Sequence, residues 1–298
     1  MNSLLVRKKN ALRIFAVLLL LAVLIGCSGF IQPEAEVKIP ATETGNPPTP
    51  TVTVPPATPS PSPSQPVVTS NRVEVLFFES SNYPKDIITR VYLPPGYDPD
   101  RKTPYPVLVM LHGLTGKGSQ WEDLGLLEAA DDLIADGKID PLVIILPEEY
   151  YNTKSYAETT FAEVLVDELL PYLHSQYNLC QERECTAIGG LSRGAGWAAR
   201  LVFTHWEVFG VAGLHSMPLP FLPLAEWIRT IPPGSMPKLY MDIGAEDVEY
   251  RNARDFDALL NRLEIPHEWV VQPGVHADEY WSAHVRDYLL WYGEVLSP

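Results

Sequence analysis

Basic side chains are scarce in this sequence. Its 298 residues include 22 Lys and Arg against 37 Asp and Glu, which gives a formal net charge of −15 at pH 7. A surface this acidic argues against nucleic acid as a partner and against a face that binds anionic lipid, because both ligands are negatively charged. Internal repeats are lacking as well. The charge identifies no substrate, so function has to be sought in local motifs.

Long apolar runs are also missing. The N-terminal run Ile14–Ile25 is shorter than the ~20 residues that a membrane span needs. It follows a basic segment (residues 7–13) and ends at Gly26-Cys27. This pattern resembles the bacterial lipoprotein signal, which implies cleavage after Gly26 and lipid attachment to Cys27. The alternative is an uncleaved N-terminal anchor helix, and in either case we expect a protein that is tethered outside the cytoplasmic membrane.

The next stretch has too few apolar residues to form a core. Residues 27–70 are rich in Pro, Thr, Ser and Val, as in Pro59-Ser60-Pro61. Because proline also removes backbone donors, we predict an extended, disordered stalk. The remaining residues, 71–298, suffice for one sizeable α/β domain. The sequence therefore divides into a signal peptide (1–26), a linker (27–70) and a folded domain (71–298).

Cysteine is rare, with three residues in the chain. If Cys27 carries lipid, Cys180 and Cys185 remain as an even pair that could form a small disulfide loop in an oxidising compartment. Two free buried thiols are the alternative, and the sequence leaves both open. Neither thiol is a good candidate nucleophile, because no histidine or other base pattern flanks it.

The folded domain alternates strands with helices. Continuous apolar runs such as Pro106–Leu111 and Pro141–Leu146 are typical of strands that are buried on both faces. The alternation predicts a mostly parallel sheet of about eight strands, with an antiparallel N-terminal edge and helices on both faces. The predicted strands are 73–79, 87–93, 106–111, 141–146, 185–188, 209–214, 238–243 and 268–271, and the predicted helices are 124–135, 160–176, 197–203 and 280–296.

The segment Gly190-Leu191-Ser192-Arg193-Gly194 gives the strongest catalytic signal. It fits the Gly-x-Ser-x-Gly pattern, in which a serine occupies a strained turn between a strand and a helix. Small neighbours are needed there because the strand and the helix pass each other closely. A short apolar strand precedes the segment and an apolar helix follows it, so we predict Ser192 as a nucleophile. An ordinary serine on a glycine-rich turn is the alternative.

A serine hydroxyl becomes a good nucleophile when a histidine accepts its proton. His276 follows the Pro273-Gly274 turn beyond the last predicted strand, where active-site groups of parallel sheets collect. His215 also ends a strand and is a rival, although it precedes every candidate acid and so departs from the order Ser, acid, His of α/β hydrolases. The other histidines after Ser192 are expected to be structural: His205, His267 and His284.

The histidine needs a carboxylate that fixes its tautomer. Asp247 is favoured, because its loop lies beyond the strand 238–243 and should neighbour the loop that holds His276. Glu246 is the alternative in the same loop, whereas Asp242 lies within the strand itself. The residues therefore predict a series from Ser192 through His276 to Asp247.

The tetrahedral intermediate of acyl transfer needs two backbone donors. One should be the N–H of Arg193, the residue after the nucleophile, and the other should come from the loop after the third strand. In that loop Gly113 lets the backbone turn inward, the N–H of Leu114 is the expected donor, and His112 is expected to hold the loop.

Arg193 also places a cation beside the site, which favours an acidic acyl or leaving group unless it forms a salt bridge directed outward.

Together these segments resemble the esterase D-type family of α/β hydrolases. That family includes S-formylglutathione hydrolases, acetylxylan and feruloyl esterases, enterochelin esterases and mycolyl transferases. The resemblance covers nearly all of residues 71–298 and is carried by His112-Gly113-Leu114-Thr115-Gly116, the segment around Ser192, Gly244-Ala245-Glu246-Asp247 and Pro273-Gly274-Val275-His276. One departure is Arg193-Gly194-Ala195, where many relatives have Met-Gly-Gly.

The resemblance implies the α/β-hydrolase fold and a triad of Ser192, His276 and Asp247. It also implies an oxyanion hole formed by Leu114 and Arg193, and neither a metal nor a cofactor. Together with the N-terminal signal it predicts an extracytoplasmic, lipid-anchored serine esterase that acts through an acyl-enzyme. The same triad in an acyltransferase, and a non-catalytic surface-binding protein on a hydrolase scaffold, are the alternatives.

Aromatic residues in the surrounding loops suit a sugar or phenolic ester, although such residues are as often plain packing. The external location favours a carbohydrate ester, acetyl or feruloyl, over a cytosolic glutathione thioester. The predicted pocket residues are Trp121, Tyr150, Tyr151 and Trp281.

Overall fold

The computed structural model describes residues 67–68, 72–150, 154–218 and 223–296. The predicted signal peptide (1–26), Cys27, the predicted linker (27–70) apart from Val67 and Val68, and Tyr151 lie outside the described residues. In the described ranges, no helix combines the length and the apolar character that crossing a bilayer requires.

Within the described ranges, the central element is a sheet of nine strands. Its strands are β1 (Val67–Val68), β2 (Val73–Phe78), β3 (Ile87–Tyr92), β4 (Val107–Leu111), β5 (Val143–Pro147), β6 (Thr186–Leu191), β7 (Val211–His215), β8 (Lys238–Gly244) and β9 (Glu268–Gln272). They lie in the order β1-β2-β3-β5-β4-β6-β7-β8-β9, with antiparallel pairs from β1 to β5 and parallel pairs from β5 to β9. The prediction of a mostly parallel sheet with an antiparallel N-terminal edge is confirmed, and the short β1 adds one strand to the expected number.

Helices cover both faces of the sheet, as predicted. They are α1 (Gln120–Asp123), α2 (Leu126–Ala135), α3 (Phe161–Val164), which continues through a π-helical turn (Leu165–Leu169) into α4 (Leu170–Gln176), α5 (Arg193–Thr204), α6 (Leu224–Thr230), α7 (Tyr250–Arg262) and α8 (Asp278–Val295). Successive side chains of a strand point to opposite faces. In the fully buried β4, Val107 and Val109 therefore pack on the side of α3 to α7, while Leu108 and Met110 pack on the side of α1, α2 and α8.

Two features of the helices differ from the sequence predictions. The predicted helix 124–135 is interrupted at Gly125, whose φ of +86° separates α1 from α2. The helices α6 and α7 were not predicted. In α7 the buried residues are Ala253, Phe256 and Leu260, which are spaced along one helical face of an otherwise polar segment.

A disulfide joins Cys180 and Cys185 in the segment that leads into β6. Closing so small a loop lowers the conformational entropy of the unfolded chain, which stabilises the folded state by about 2 kcal/mol. We therefore expect the Cys180→Ser/Cys185→Ser double variant to unfold in urea with a free energy about 2 kcal/mol below that of the wild type. Dithiothreitol should destabilise the wild type by a similar amount and leave the double variant unchanged. Equal urea midpoints for the two proteins without reductant would contradict this expectation.

Candidate active site

Ser192 occupies the sharp turn between β6 and α5. Its φ of +51° and ψ of −119° are unfavourable for a residue with a side chain, so the surrounding structure has to hold it in place. The turn has no room for further side chains. A Cβ on Gly190 would collide with the backbone of Gly194, and a Cβ on Gly194 would collide with the carbonyl group of Leu111. The two glycines therefore allow the strand and the helix to meet closely around the serine.

Three loops at the carboxyl ends of parallel strands bring Ser192, His276 and Asp247 together. Ser192 follows β6, Asp247 lies beyond β8, and His276 lies beyond β9. Nε2 of His276 is 2.9 Å from Oγ of Ser192, and Nδ1 is 2.9 and 3.0 Å from the two carboxylate oxygens of Asp247. The imidazole can therefore accept the hydroxyl proton at Nε2 while its Nδ1–H donates to the carboxylate.

The side chain of Asp247 is held as a carboxylate. Burial by itself would raise its pKa, but hydrogen bonds from His276, from the Glu249 N–H at 2.7 Å and from Ser216 outweigh burial and lower the pKa below its ordinary value. Its negative charge is therefore present at neutral pH, next to the imidazole that becomes cationic when it accepts a proton.

Ser216 connects this carboxylate to an aromatic wall of the site. It follows β7 with a φ of +50°, is fully buried, and hydrogen-bonds Asp247. Its Oγ also accepts the indole N–H of Trp281 at 3.1 Å, and the Trp281 ring meets the His276 imidazole edge-on with 5.0 Å between ring centroids. No sequence motif points to Ser216, whose one available signal is its position just beyond the carboxyl end of β7.

We expect Ser216→Ala to lower kcat for ester hydrolysis about tenfold and to change KM by less than about twofold, because Asp247 and the imidazole lose a hydrogen-bonded support. Losing this donor raises the pKa of Asp247, so the acid side of the kcat–pH profile should move to higher pH. Ser175→Ala is the matched control, since that hydroxyl donates to the Tyr172 carbonyl on α4, outside the site. Identical kcat values and pH profiles for both variants would rule out the positioning role.

The rival histidine belongs to the core. His215 is fully buried, its Nδ1 lies 2.7 Å from Oδ1 of Asp242, and its ring stacks on Tyr288 with 3.8 Å between centroids. The other oxygen of Asp242 accepts the hydroxyls of Tyr280 and Tyr288 at 2.9 and 2.8 Å. His215 reaches the nucleophile through its backbone carbonyl, which accepts the Ser192 N–H. Its imidazole is therefore directed away from the hydroxyl and cannot act as its base.

Glu246, the alternative acid, stabilises the loop of His276. Its carboxylate accepts the N–H of Gly274 at 2.9 Å, and its own N–H donates to the Gly274 carbonyl. The other histidines have partners away from the hydroxyl: His205 contacts Thr204, His267 contacts Asp257, and His284 contacts the Tyr280 carbonyl. Among the predicted partners, the structure therefore brings His276 and Asp247 to Ser192.

The loop after β4 is fixed by two side chains, His112, which is predicted to hold it, and Gln120, to which no sequence pattern points. Gln120 accepts the N–H of Gly113 at 2.8 Å through Oε1. His112 donates from Nδ1 to the Gly113 carbonyl at 2.7 Å and accepts the Glu149 N–H at Nε2 at 2.9 Å. Burial lowers the pKa of His112, which favours the neutral imidazole that this arrangement requires. The contacts hold the loop in place, with Leu114 lining the cleft.

The charge of Arg193 is balanced inside the protein. Its guanidinium donates to both oxygens of Glu149, at 2.7 Å from Nε and 2.6 Å from Nη2, and both residues are buried. The guanidinium also lies 4.9 Å from the ring centroid of Tyr156. The salt bridge removes the ground for expecting that this cation favours an acidic acyl or leaving group, because its charge is paired with that of Glu149. The salt bridge points inward and not outward.

A cleft of about 730 Å³ opens at the Ser192 hydroxyl, and Trp281 forms part of its wall. Trp121 does not line it, because α1 turns this side chain into the core, where its indole N–H donates to the Leu111 carbonyl. Tyr150 is exposed and lies under the amino group of Lys85, also outside the cleft lining. Of the described aromatic residues that were predicted to form the pocket, Trp281 alone lines this cleft.

A second cavity, of about 700 Å³, lies near the amino ends of β8 and β9 and includes none of the three residues that meet at Ser192. Across the described ranges, no group of three or more His, Cys, Asp or Glu side chains is arranged to hold a metal ion.

The chain matches known proteins in sequence and in structure. The family described as "Putative esterase" matches residues 80–292. An endo-1,4-beta-xylanase/feruloyl esterase of Xylanibacter ruminicola is 28% identical over 159 residues, a match that covers 50% of this chain and 22% of that protein. The match therefore spans less than a quarter of the relative's length.

Two solved structures share the fold. A ferulic acid esterase superposes with a TM-score of 0.66 at 20% identity, over 75% of this chain and 97% of its own. An S-formylglutathione hydrolase from Staphylococcus aureus superposes with a TM-score of 0.59 at 18% identity, over 73% of this chain and 97% of its own. The predicted α/β-hydrolase fold is thereby confirmed.

Proposed function

Since this chain belongs to the esterase family, we propose that it hydrolyses carboxylic esters as a serine esterase in which Ser192, His276 and Asp247 form the catalytic triad. The observation that carries the proposal is the unbroken series of contacts from Oγ through the imidazole to the carboxylate, at 2.9 to 3.0 Å. The series ends at a cleft that admits a substrate.

In the proposed acylation step, Oγ of Ser192 attacks the carbonyl carbon of the ester while Nε2 of His276 takes the hydroxyl proton. The carbonyl electron pair moves onto oxygen, and the N–H groups of Leu114 and Arg193 are the proposed donors to that oxyanion, each contributing about 3 kcal/mol to transition-state stability. When the intermediate collapses, the alkoxide leaves with the proton from His276, and the acyl group stays on Ser192. Asp247 holds the imidazolium that forms in between.

In the proposed deacylation step, a water molecule gives a proton to Nε2 of His276 and attacks the acyl carbon. As the second tetrahedral intermediate collapses, His276 returns that proton to Oγ of Ser192 and the carboxylic acid is released. One water is consumed per ester, and no group outside the chain is needed to balance the reaction.

We further propose a carbohydrate ester with an acetyl or feruloyl group as the substrate. The name of the xylanase/feruloyl esterase relative supports it, as does Trp281 in the cleft wall, since an indole ring can pack against a phenolic or sugar ring. The test is a panel of methyl ferulate, acetylated xylo-oligosaccharides and p-nitrophenyl esters of increasing acyl length. The highest kcat/KM on a long aliphatic ester would contradict the proposal, and product analysis with added sugar acceptors separates hydrolysis from acyl transfer.

Residues 1–26 are the proposed signal peptide, Cys27 the lipid attachment site, 27–70 the linker and 71–298 the catalytic domain. The support comes from Gly26-Cys27 after a short apolar run, and from the Cys180–Cys185 disulfide, which suits an oxidising compartment outside the cytoplasm.

In a bacterial host, we expect the wild type to incorporate labelled palmitate and to sediment with membranes, because the thiol of Cys27 would carry the lipid. Cys27→Ala should lose the label, while Cys180→Ser/Cys185→Ser should retain it. A wild-type protein without label, or a labelled Cys27→Ala variant, would contradict the anchor.

A further inference from the structure

The charged side chains that line the catalytic cleft are mostly acidic. Apart from His276, they are Asp123, Glu249, Asp278 and Lys117. Each carboxylate meets an uncharged donor: the Ser119 hydroxyl reaches Asp123, the Gln120 amide reaches Asp278, and the Asn252 amide reaches Glu249. Within the described part of the chain, none of these three carboxylates forms an ion pair with a basic side chain. The cleft lining therefore carries an excess of negative charge.

Buried groups next to the cleft do not offset this excess. Arg193, which follows Ser192 in sequence, pairs its guanidinium with the carboxylate of Glu149 through two hydrogen bonds. Beneath the imidazole lies Asp247, whose pKa is lowered and which adds another negative charge while His276 is neutral. An anionic substrate group would therefore approach a site whose charges repel it.

Exposed apolar side chains also lie at the cleft. Leu114 is 47% exposed and Val248 is 80% exposed, and both line the cleft; Val275, next to His276, is 52% exposed. Contact with these side chains removes water from a bound group. An uncharged group gains from that contact, whereas an anion loses hydration and meets one lysine, Lys117, against the three carboxylates of Asp123, Glu249 and Asp278.

We infer that this cleft selects uncharged or cationic carboxylic esters and discriminates against esters that carry a negative charge close to the scissile bond. The inference rests on the proposed function, because it concerns the substrates of the same site. It makes esters with carboxylate-bearing leaving groups poor substrates. Repulsion by the surplus carboxylates in a solvated cleft is expected to lower kcat/KM for a monoanionic ester about five- to tenfold.

The experiment uses three aryl acetates that differ in the charge of the phenol. Their phenols carry a carboxymethyl group (anion), a carboxamidomethyl group (neutral) or a trimethylammonioethyl group (cation), and the methylene spacers keep the ester reactivities similar. Each kcat/KM is divided by the rate constant of alkaline hydrolysis of the same ester. At low ionic strength, we expect this normalised kcat/KM to be higher for the cationic and neutral esters than for the anionic ester. The differences should shrink in about 0.5 M NaCl, because salt screens the carboxylates.

Variants assign the effect to the cleft. Asp123→Asn, alone and combined with Asp278→Asn, should raise the anion-to-neutral ratio of kcat/KM stepwise, whereas Lys117→Gln should lower it. Asp136→Asn is the matched control, because this exposed aspartate does not line the cleft, and it should leave the ratio as in the wild type.

The outcomes separate the two proposals. If the neutral ester is hydrolysed and the normalised kcat/KM of the anionic ester is equal or higher, the charge inference is overturned. The esterase proposal is then unaffected. A charge preference that Asp136→Asn changes as much as Asp123→Asn also overturns the inference, since the cleft would then not be its source. Failure of the folded wild type to hydrolyse any of the three esters overturns both.

Discussion

Ser192→Ala will lower kcat/KM for p-nitrophenyl acetate by about 10⁴- to 10⁶-fold, to the low rate that binding and backbone donors alone can support. The reason is geometric, because the hydroxyl of Ser192, the proposed nucleophile, lies 2.9 Å from Nε2 of His276. Alanine keeps the small Cβ that the turn already accommodates, so the fold should be retained. The measurement is release of p-nitrophenol, together with a urea unfolding curve for the variant.

The control and a second readout make this test specific. Ser175→Ala removes a hydroxyl of the same kind outside the site, and its kcat/KM should stay within about twofold of the wild-type value. A fluorophosphonate reagent should add one phosphonyl group to the wild type, at Ser192, and none to Ser192→Ala. Equal turnover by the wild type and Ser192→Ala would refute the serine esterase proposal.

Asp247→Asn will lower kcat by about 10³- to 10⁴-fold, because an amide in place of the carboxylate no longer accepts the Nδ1–H of His276 in the required tautomer. The matched control is Glu246→Gln in the same loop. Its kcat should fall less than about threefold, since a glutamine carbonyl can still accept the Gly274 N–H that Glu246 binds. If kcat falls much for Glu246→Gln and little for Asp247→Asn, Glu246 and not Asp247 is the acid.

The lowered pKa of Asp247 also has a consequence for stability. A carboxyl group whose pKa is depressed in the folded state stabilises the protein above the ordinary pKa of about 4, and this contribution disappears as the pH falls through the lowered value. Asp247→Asn removes that contribution. Urea unfolding of the two proteins between about pH 3 and pH 7 should therefore show a smaller loss of stability on acidification for Asp247→Asn than for the wild type.

Local patterns were enough to predict the frame of the site. The glycines around Ser192 indicate a turn that involves only neighbouring residues. The continuous apolar runs at β4 and β5 indicate strands that are buried on both faces. Asp247 and His276 could be favoured because the carboxyl ends of parallel strands share one edge of a sheet. In each case the deciding information lay within a few residues of the position in question.

The parts that were missed depend on contacts between distant segments. Glu149 meets Arg193 across 44 positions, and Gln120 meets Asp278 across 158. The direction of a side chain is equally hard to infer, which is why Trp121 was placed in the pocket although α1 turns it into the core. His215 stayed a rival for the same reason, since the position of a residue at a strand end does not show which way its ring points.

The buried pair of His215 and Asp242 repeats the imidazole–carboxylate contact of His276 and Asp247 at a place that solvent does not reach. The His215 side chain is 0% exposed, whereas that of His276 is 22% exposed. Diethyl pyrocarbonate acylates imidazoles that are accessible to solvent. It can therefore attack His276, and it cannot reach His215 until the protein unfolds. Inactivation by this reagent would therefore follow the carbethoxylation of one ring, and an ester bound in the cleft would slow it.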